Sequence, residues 1–218
     1  MKLEISKTIP ENFTEAWSGE YSFFSHFEHA AVVPEVLSMI TTTKENGMPN
    51  VAFKSGIQFS GNSDNYYVIL ANESISTHTY NNILREKEFC VNFLSSKYYN
   101  ACRKTIIENH ENNDEVLAGG FTSTSSKTIS SPQISEAFLT YECKLSSSID
   151  LTKDEQHIIV IGEVQRAVID ENYLKSKNMC GENGFMFNIP GSQHALTGSR
   201  EKTAMAFLDE NNLYEVNR

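Results

Sequence analysis

The chain of 218 residues lacks the short motifs that mark the common nucleotide and hydrolase chemistries. It has no G-x-x-x-x-G-K-[ST] to cradle a triphosphate and no G-x-G-x-x-G to open a dinucleotide-binding fold. It also has no H-E-x-x-H to hold a catalytic zinc and no G-x-S-x-G to expose a nucleophilic serine. Its four cysteines, Cys90, Cys102, Cys143 and Cys180, include no C-x-x-C pair. Cys90 and Cys143 lie in apolar, strand-like runs, which reads as buried thiols rather than a redox or metal motif. Basic residues are outnumbered, 18 against 28 acids for a formal charge of −10. No basic stripe of the kind that duplex binding needs is visible, so no nucleic-acid partner is expected. No window approaches the ~18 apolar residues of a membrane span. Met1 to Lys7 lacks the apolar run of a signal peptide, so the expected location is cytoplasmic.

A composition 39% hydrophobic, with 13 Phe and 9 Tyr, is enough for a real core. The first 35 residues carry Trp17, Tyr21, Phe23, Phe24 and Phe27. These are expected to cover one end of the core, with a substrate mouth or partner surface as the functional alternative. His26 and His29 have the spacing of a metal pair on a helix face, but no second pair stands nearby and no metal site is expected.

Beyond Pro34 the pattern has period two. Val36 to Thr43 reads as a strand, and Lys44-Glu45-Asn46-Gly47 as a hairpin turn, because Asn-Gly accepts positive φ angles. In Asn50 to Ser60 the residues Val51, Phe53, Ile57 and Phe59 alternate with polar neighbours, as in a half-buried strand. Tyr66 to Ala71 is a continuous apolar run, and Phe89 to Leu94 alternates again. Further strands begin near Glu136 and run from His157 to Ile169, where Gly162 suggests a bulge or a close backbone approach. Thr77 to Arg85 reads as a short helix with Thr77 or Thr79 as its cap. A second helix is expected from Ser95 or Ser96 to about Asn109. Residues 109–133 read as a long loop with a functional or partner role. The tail after Asp170 mixes short helical pieces and turns. Six or seven strands joined by hairpin-length turns favour a single domain over 1–218, mainly β with peripheral helices, built as an antiparallel barrel rather than a doubly wound sheet.

Candidate chemistry is concentrated in one place. Thr77, His78 and Thr79 stand where a helix begins, so free N–H groups and the positive end of its dipole suit an anion such as phosphate. Lys54 and Ser55 could add a cation and a hydroxyl. Taken alone, these residues read better as a helix cap and a solvated strand lysine than as a phosphate site. The carboxylate pairs Asp154-Glu155 and Asp170-Glu171 sit in turn-like segments and read as solvated surface.

Several blocks then carry a resemblance. Ile40-Thr41-Thr42-Thr43, Asn46-Gly47-x-Pro49-Asn50, Phe59-Ser60, Thr79-x-x-Asn82-Ile83 and Glu88-Phe89-x-Val91-Asn92 follow one another in the order seen in flavin reductase-like proteins. So do Ala118-Gly119-Gly120-Phe121-Thr122, Ser131-Pro132-x-Ile134-x-Glu136-Ala137, Glu142-Cys143 and Ile161-Gly162-Glu163-Val164. Over about residues 30–170 the chain resembles the FMN-binding split-barrel family of the flavoredoxin relatives. Two departures stand out. Gly61 to Asn65 replaces an Asp-Pro-Pro block, and Ala167 and Val168 stand near a position that often holds histidine.

The resemblance implies a Greek-key split barrel, a homodimer, and FMN near the subunit interface. It places Asn50 and Ala52 beside the flavin ring, and Phe53, Lys54 and Ser55 along the ring and ribityl chain. Ser60, Thr77, His78 and Thr79 would hold the phosphate end, with Asn82 in the same block. It implies hydride passing from NAD(P)H to flavin N5, with no side-chain acid or base, and electrons passing to a small-molecule acceptor or partner redox protein. Residues 109–133 would close over the site or reach the other subunit. A non-enzymatic FMN- or haem-binding barrel acting as store, sensor or carrier is the alternative. A barrel that has lost its cofactor is a third.

Overall fold

A computed structural model describes residues 2–107, 109–153 and 156–213. Contacts divide the chain into two compact units, one of residues 1–35 with 187–206 and one of 36–186 with 207–218. The carboxylate pair Asp154-Glu155 lies outside the described residues.

The larger unit is built on one seven-stranded antiparallel sheet. Its strands are β1 (Ser38–Thr43), β2 (Pro49–Lys54), β3 (Ile57–Gly61), β4 (Tyr66–Glu73), β5 (Glu88–Phe93), β6 (Leu139–Asp150) and β7 (Ile158–Ile169). They lie in the order β2-β1-β5-β6-β7-β4-β3. The hairpin turn is where Asn-Gly places it: Gly47 has φ 82°, and Thr43 pairs with Pro49 in register.

The predicted strand Asn50 to Ser60 is in fact two strands. The chain breaks at Ser55-Gly56, where Gly56 takes φ 74°, and β2 and β3 end on opposite edges of the sheet. Period-two patterning cannot see such a break, because both halves keep the alternation. Tyr66 to Ala71 also differs from the expected buried run. It alternates, with Val68 and Leu70 buried and Tyr66 exposed.

The core holds Ile40, Val68, Leu70, Phe89, Val91, Phe93, Cys143 and Val160, with Tyr80 and Ile83 contributed by a helix. Each fully buried large side chain contributes about 1.5–3 kcal/mol relative to exposure. Cys90 and Cys143 are buried as expected. Gly162 shows both predicted features. The β6–β7 register shifts at Ile161/Gly162, and a Cβ there would stand 2.4 Å from Phe89 Cζ.

Three helices pack on this unit: α1 (His78–Glu86), α2 (Tyr99–Ile107) and α3 (Glu115–Gly119). Thr77, not Thr79, caps α1, its hydroxyl accepting from the Tyr80 N–H. The helix ends at Lys87, which takes the left-handed conformation, φ 63°. Helix α2 is shorter than predicted, starting after a 3-10 turn at Ser96–Tyr98. The expected loop 109–133 contains α3 and the short strands Ser123–Thr124 and Gln133–Ile134, which pair with each other. After Asp170 come 3-10 turns at Glu171–Tyr173, Ser176–Met179, Gly181–Asn183 and Glu210–Asn212. The first is capped by Asp170, which is exposed.

The smaller unit has helical turns Glu20–Phe23 and His26–Ala30, the second opened by a Ser25/Glu28 capping box. Arg200 Nη2 lies 2.6 Å from Glu20 Oε2 and ties this unit together. Burial alone would raise the Glu20 pKa, but hydrogen bonds from Arg200 and the Ala16 N–H outweigh it and hold the carboxyl below its usual range. Trp17 packs edge-on against Phe23 and Phe24. Trp17, Phe23 and Phe27 nonetheless remain exposed, so these three do not act as buried cover. His26 and His29 face different partners, the Ser6 carbonyl and Glu20. Among the described residues no helix is long and apolar enough to cross a membrane.

Candidate functional site

A cleft of about 270 Å³ opens beside edge strand β2. Asn50, Val51, Ala52, Phe53 and Lys54 form one wall, and Ser76, Thr77, His78 and Thr79 form another at the start of α1. Thr105, Ile106 and Asn109 complete it from the end of α2. The volume lies just under the usual small-molecule range of about 300–1,000 Å³.

Two features make the cleft receptive to an anion. The N–H groups of His78 and Thr79 open α1 and have no partner among the described residues. Lys54 presents its ammonium nearby, one fifth exposed, with Glu73 Oε1 2.5 Å from Nζ. Glu73 is fully buried, and its other oxygen, Oε2, has no hydrogen-bond partner among the described residues. The His78 ring lies between two polar groups. Its Nδ1 is 3.0 Å from Asn109 Oδ1, and its Nε2 is 3.8 Å from Glu111 Oε2.

A buried polar network fixes the strand and the helix to one another. Asn50 donates through Nδ2 to Thr42 Oγ1 at 3.1 Å and to Thr79 Oγ1 at 3.2 Å. Asn82 Nδ2 donates to the same Thr42 hydroxyl at 3.0 Å. This network joins β1, β2 and α1 through buried side chains, so the register between the two walls is set by the chain itself.

The structure therefore brings Asn50, Ala52, Phe53, Lys54, Thr77, His78 and Thr79 to one cleft. Ser55, Ser60 and Asn82 do not line it. Ser55 sits at the break between β2 and β3, and Ser60 is exposed on β3, paired with Tyr67. Asn82 is buried and acts on the cleft through Thr42. Sequence reasoning missed Glu73 beside Lys54 and, in the cleft lining, Val51, Ser76, Thr105, Ile106 and Asn109. Only the helix-end position of the last three offered a signal.

The fold is thus a mainly antiparallel sheet flanked by helices, with an anion-receptive cleft at its edge strand. The flavin reductase like domain matches residues 30–184. The chain belongs to this family. Among solved structures, nitrilotriacetate monooxygenase component B from Bacillus cereus is similar with TM-score 0.72 and 18% identity, covering 98% of this chain and 100% of that one. A Shewanella frigidimarina NCIMB 400 protein assigned as a flavin reductase with a split barrel domain has TM-score 0.70 and 17% identity, covering 89% and 91%. Flavoredoxin of Desulfovibrio vulgaris (Miyazaki F) has TM-score 0.61 and 18% identity, covering 81% and 89%. The split β-barrel is thus the fold of this chain.

The residues present fit a flavin phosphate. Two N–H groups without partners among the described residues and the Lys54 ammonium are the donors facing the cleft, while the Thr77 hydroxyl is engaged within the chain, donating to the Ser74 carbonyl and accepting the Tyr80 N–H. Family membership makes the chain a flavin-dependent oxidoreductase of the reductase type.

Proposed function

We propose that this chain is an NAD(P)H-dependent FMN reductase, or a flavoprotein that passes the electrons onward. The observation that carries the reading is the convergence of Lys54 with the open N-terminus of α1 on one cleft. A phosphate monoester matches that donor set, which favours FMN. Bound flavin supplies the hydride-accepting centre at N5. The chain's own work is to bind and orient. Lys54 and the His78 and Thr79 N–H groups hold the anionic end, while Asn50 to Phe53 provide a wall for the flat ring. No side-chain acid or base is assigned.

The reading includes a homodimer. The cleft alone takes in only part of a flavin nucleotide, and Ile106, Ile107 and Leu117 beside it are exposed, at 60%, 74% and 70%. A second copy would bury them and cover the remainder of the ligand. The electron acceptor would be a small molecule or a redox partner.

The test is an absorbance spectrum of purified protein with added FMN, before and after anaerobic NADH or NADPH. Flavin bands that bleach with nicotinamide support the reductase. Bands that persist mean a flavin binder reduced by another donor. A protein that takes up no FMN refutes the assignment of the cleft.

A further inference from the structure

We infer that Lys44 is a positioning residue for the cleft: by gathering the backbone of residues 109–113, it sets where Asn109 and His78 meet the anionic end of the ligand. This rests on the flavin-phosphate reading above.

Lys44 follows β1 at the mouth of the hairpin, a place where a lysine is normally solvated. Here its side chain is 1% exposed, and Nζ lies 2.7 Å from Glu115 Oε1, also 1% exposed. The other Glu115 oxygen accepts the Val51 N–H at 2.9 Å, on the edge strand that walls the cleft. The ammonium also donates to the carbonyls of His110 at 2.5 Å and Asn113 at 3.0 Å. Asn46 Nδ2 donates to the Glu111 carbonyl at 2.8 Å. Segment 109–113 is therefore held by side chains of the β1–β2 hairpin rather than by a ladder or helix of its own.

That segment delivers Asn109 to the cleft lining and sets two polar groups beside the His78 ring. Asn109 Oδ1 stands 3.0 Å from one ring nitrogen of His78, and the Glu111 carboxylate stands 3.8 Å from the other. A buried ammonium must keep its acceptors close, because losing them leaves an uncompensated charge. Its hydrogen bonds to the carbonyls are charge-assisted, and the Glu115 carboxylate beside it balances its charge. The segment is exposed at residues 109–112 yet tethered through its carbonyls to the hairpin, and through Asn109 it meets the His78 ring at the start of α1.

The experiment compares FMN with riboflavin, which has the same ring and ribityl chain but no phosphate. Lys44→Met with Glu115→Gln removes both charges together and keeps an acceptor for the Val51 N–H. Buried pairs replaced as a unit commonly leave the fold intact. FMN affinity should fall about tenfold while riboflavin affinity changes less than about twofold, as expected when hydrogen-bonding groups at the phosphate are displaced and the contacts to ring and ribityl chain are kept. Equal weakening of both ligands, or of neither, overturns the inference. Should the double variant fail to fold, Asn109→Ala removes the His78 partner and leaves the buried pair untouched. It should lower FMN affinity about threefold relative to riboflavin, and an unchanged ratio overturns the inference. Wild-type protein that binds neither flavin would overturn the reading of the cleft, and this inference with it. Wild-type binding with unchanged variant ratios would overturn this inference alone.

Discussion

Replacing Lys54 by Met separates the two roles of its ammonium. Glu73 is fully buried, only one of its oxygens is partnered, and that partner is Lys54 Nζ at 2.5 Å. Removing one member of a buried pair costs about 3–5 kcal/mol, because the survivor keeps its desolvation penalty. Lys54 is 20% exposed, so water reaches the pair from one side, and the expected loss is reduced to about 2–3 kcal/mol. At about 2–4 °C per kcal/mol for a chain of this size, the thermal midpoint of Lys54→Met should drop by about 5–10 °C. Adding Glu73→Leu removes the stranded carboxylate, and stability should return to within about 1 kcal/mol of wild type. FMN binding should behave differently. The single and double variants should both lose about tenfold in affinity or more, since neither has the ammonium. Thermal melting of the ligand-free protein and a fluorescence titration with FMN read the two effects. A single variant within about 0.5 kcal/mol of wild type would show that Glu73 is hydrated. A double variant as unstable as the single would show that packing, not charge, holds this corner.

Gly162→Ala would set a Cβ 2.4 Å from Phe89 Cζ and 3.2 Å from Cys143 Cβ. It should cost about 1–3 kcal/mol in chemical denaturation, and Phe89→Leu, destabilising in wild type, should recover part of the loss in that background. Glu142 is buried, which by itself raises its pKa, but bonds from Thr128, the Lys127 and Thr128 N–H groups and Arg166 outweigh this and hold it below the usual carboxylate range. A carboxylate lowered on folding stabilises above its unfolded-state pKa of about 4.3 and loses that contribution as pH falls through the folded value. Glu142→Gln should therefore be less stable than wild type at pH 7, with the gap closing on acidification below that point, as thermal melts across pH would record. Burial pushes the Cys90 and Cys102 thiols up to about 12 and raises Cys143 as well. A thiol reagent at pH 8 should label Cys180 in the native protein and all four cysteines after denaturation. Early labelling of a second thiol would contradict the packing.

The parts of the fold legible in the sequence are those with local causes. Asn46-Gly47 marks the hairpin because a tight turn needs positive φ there, and Thr77 marks the start of α1 because a hydroxyl satisfies an open N–H. Strands β5 and β6 show in their alternation and β7 in its apolar run Ile158-Ile159-Val160-Ile161. Lys44 and Glu73 were not legible, since each is a charged residue at a strand end and local pattern assigns such residues to water. Their burial depends on Glu115 and Lys54, partners brought together only by the folded sheet. Ser60 and Asn82 show the opposite failure. Their place in a family block marks a position in the fold, and the structure puts neither at the cleft wall.

The lack of a catalytic motif follows from how such a cleft works. Apart from Lys54, the donors facing the cleft are backbone N–H groups, and any residue but proline at positions 78 and 79 would supply them. A reaction carried by a bound cofactor asks the protein for position, shape and charge balance rather than for a nucleophile or a proton shuttle. The informative side chains are then those that hold geometry: Thr42 joining Asn50 to Asn82, Glu73 tethering Lys54, and Lys44 gathering the segment that carries Asn109. Each acts from behind the wall it supports. Substitutions at these three positions should therefore alter ligand affinity more than substitution of an exposed residue such as Ser60, although Ser60 stands in a block shared with the family and Lys44 and Glu73 do not.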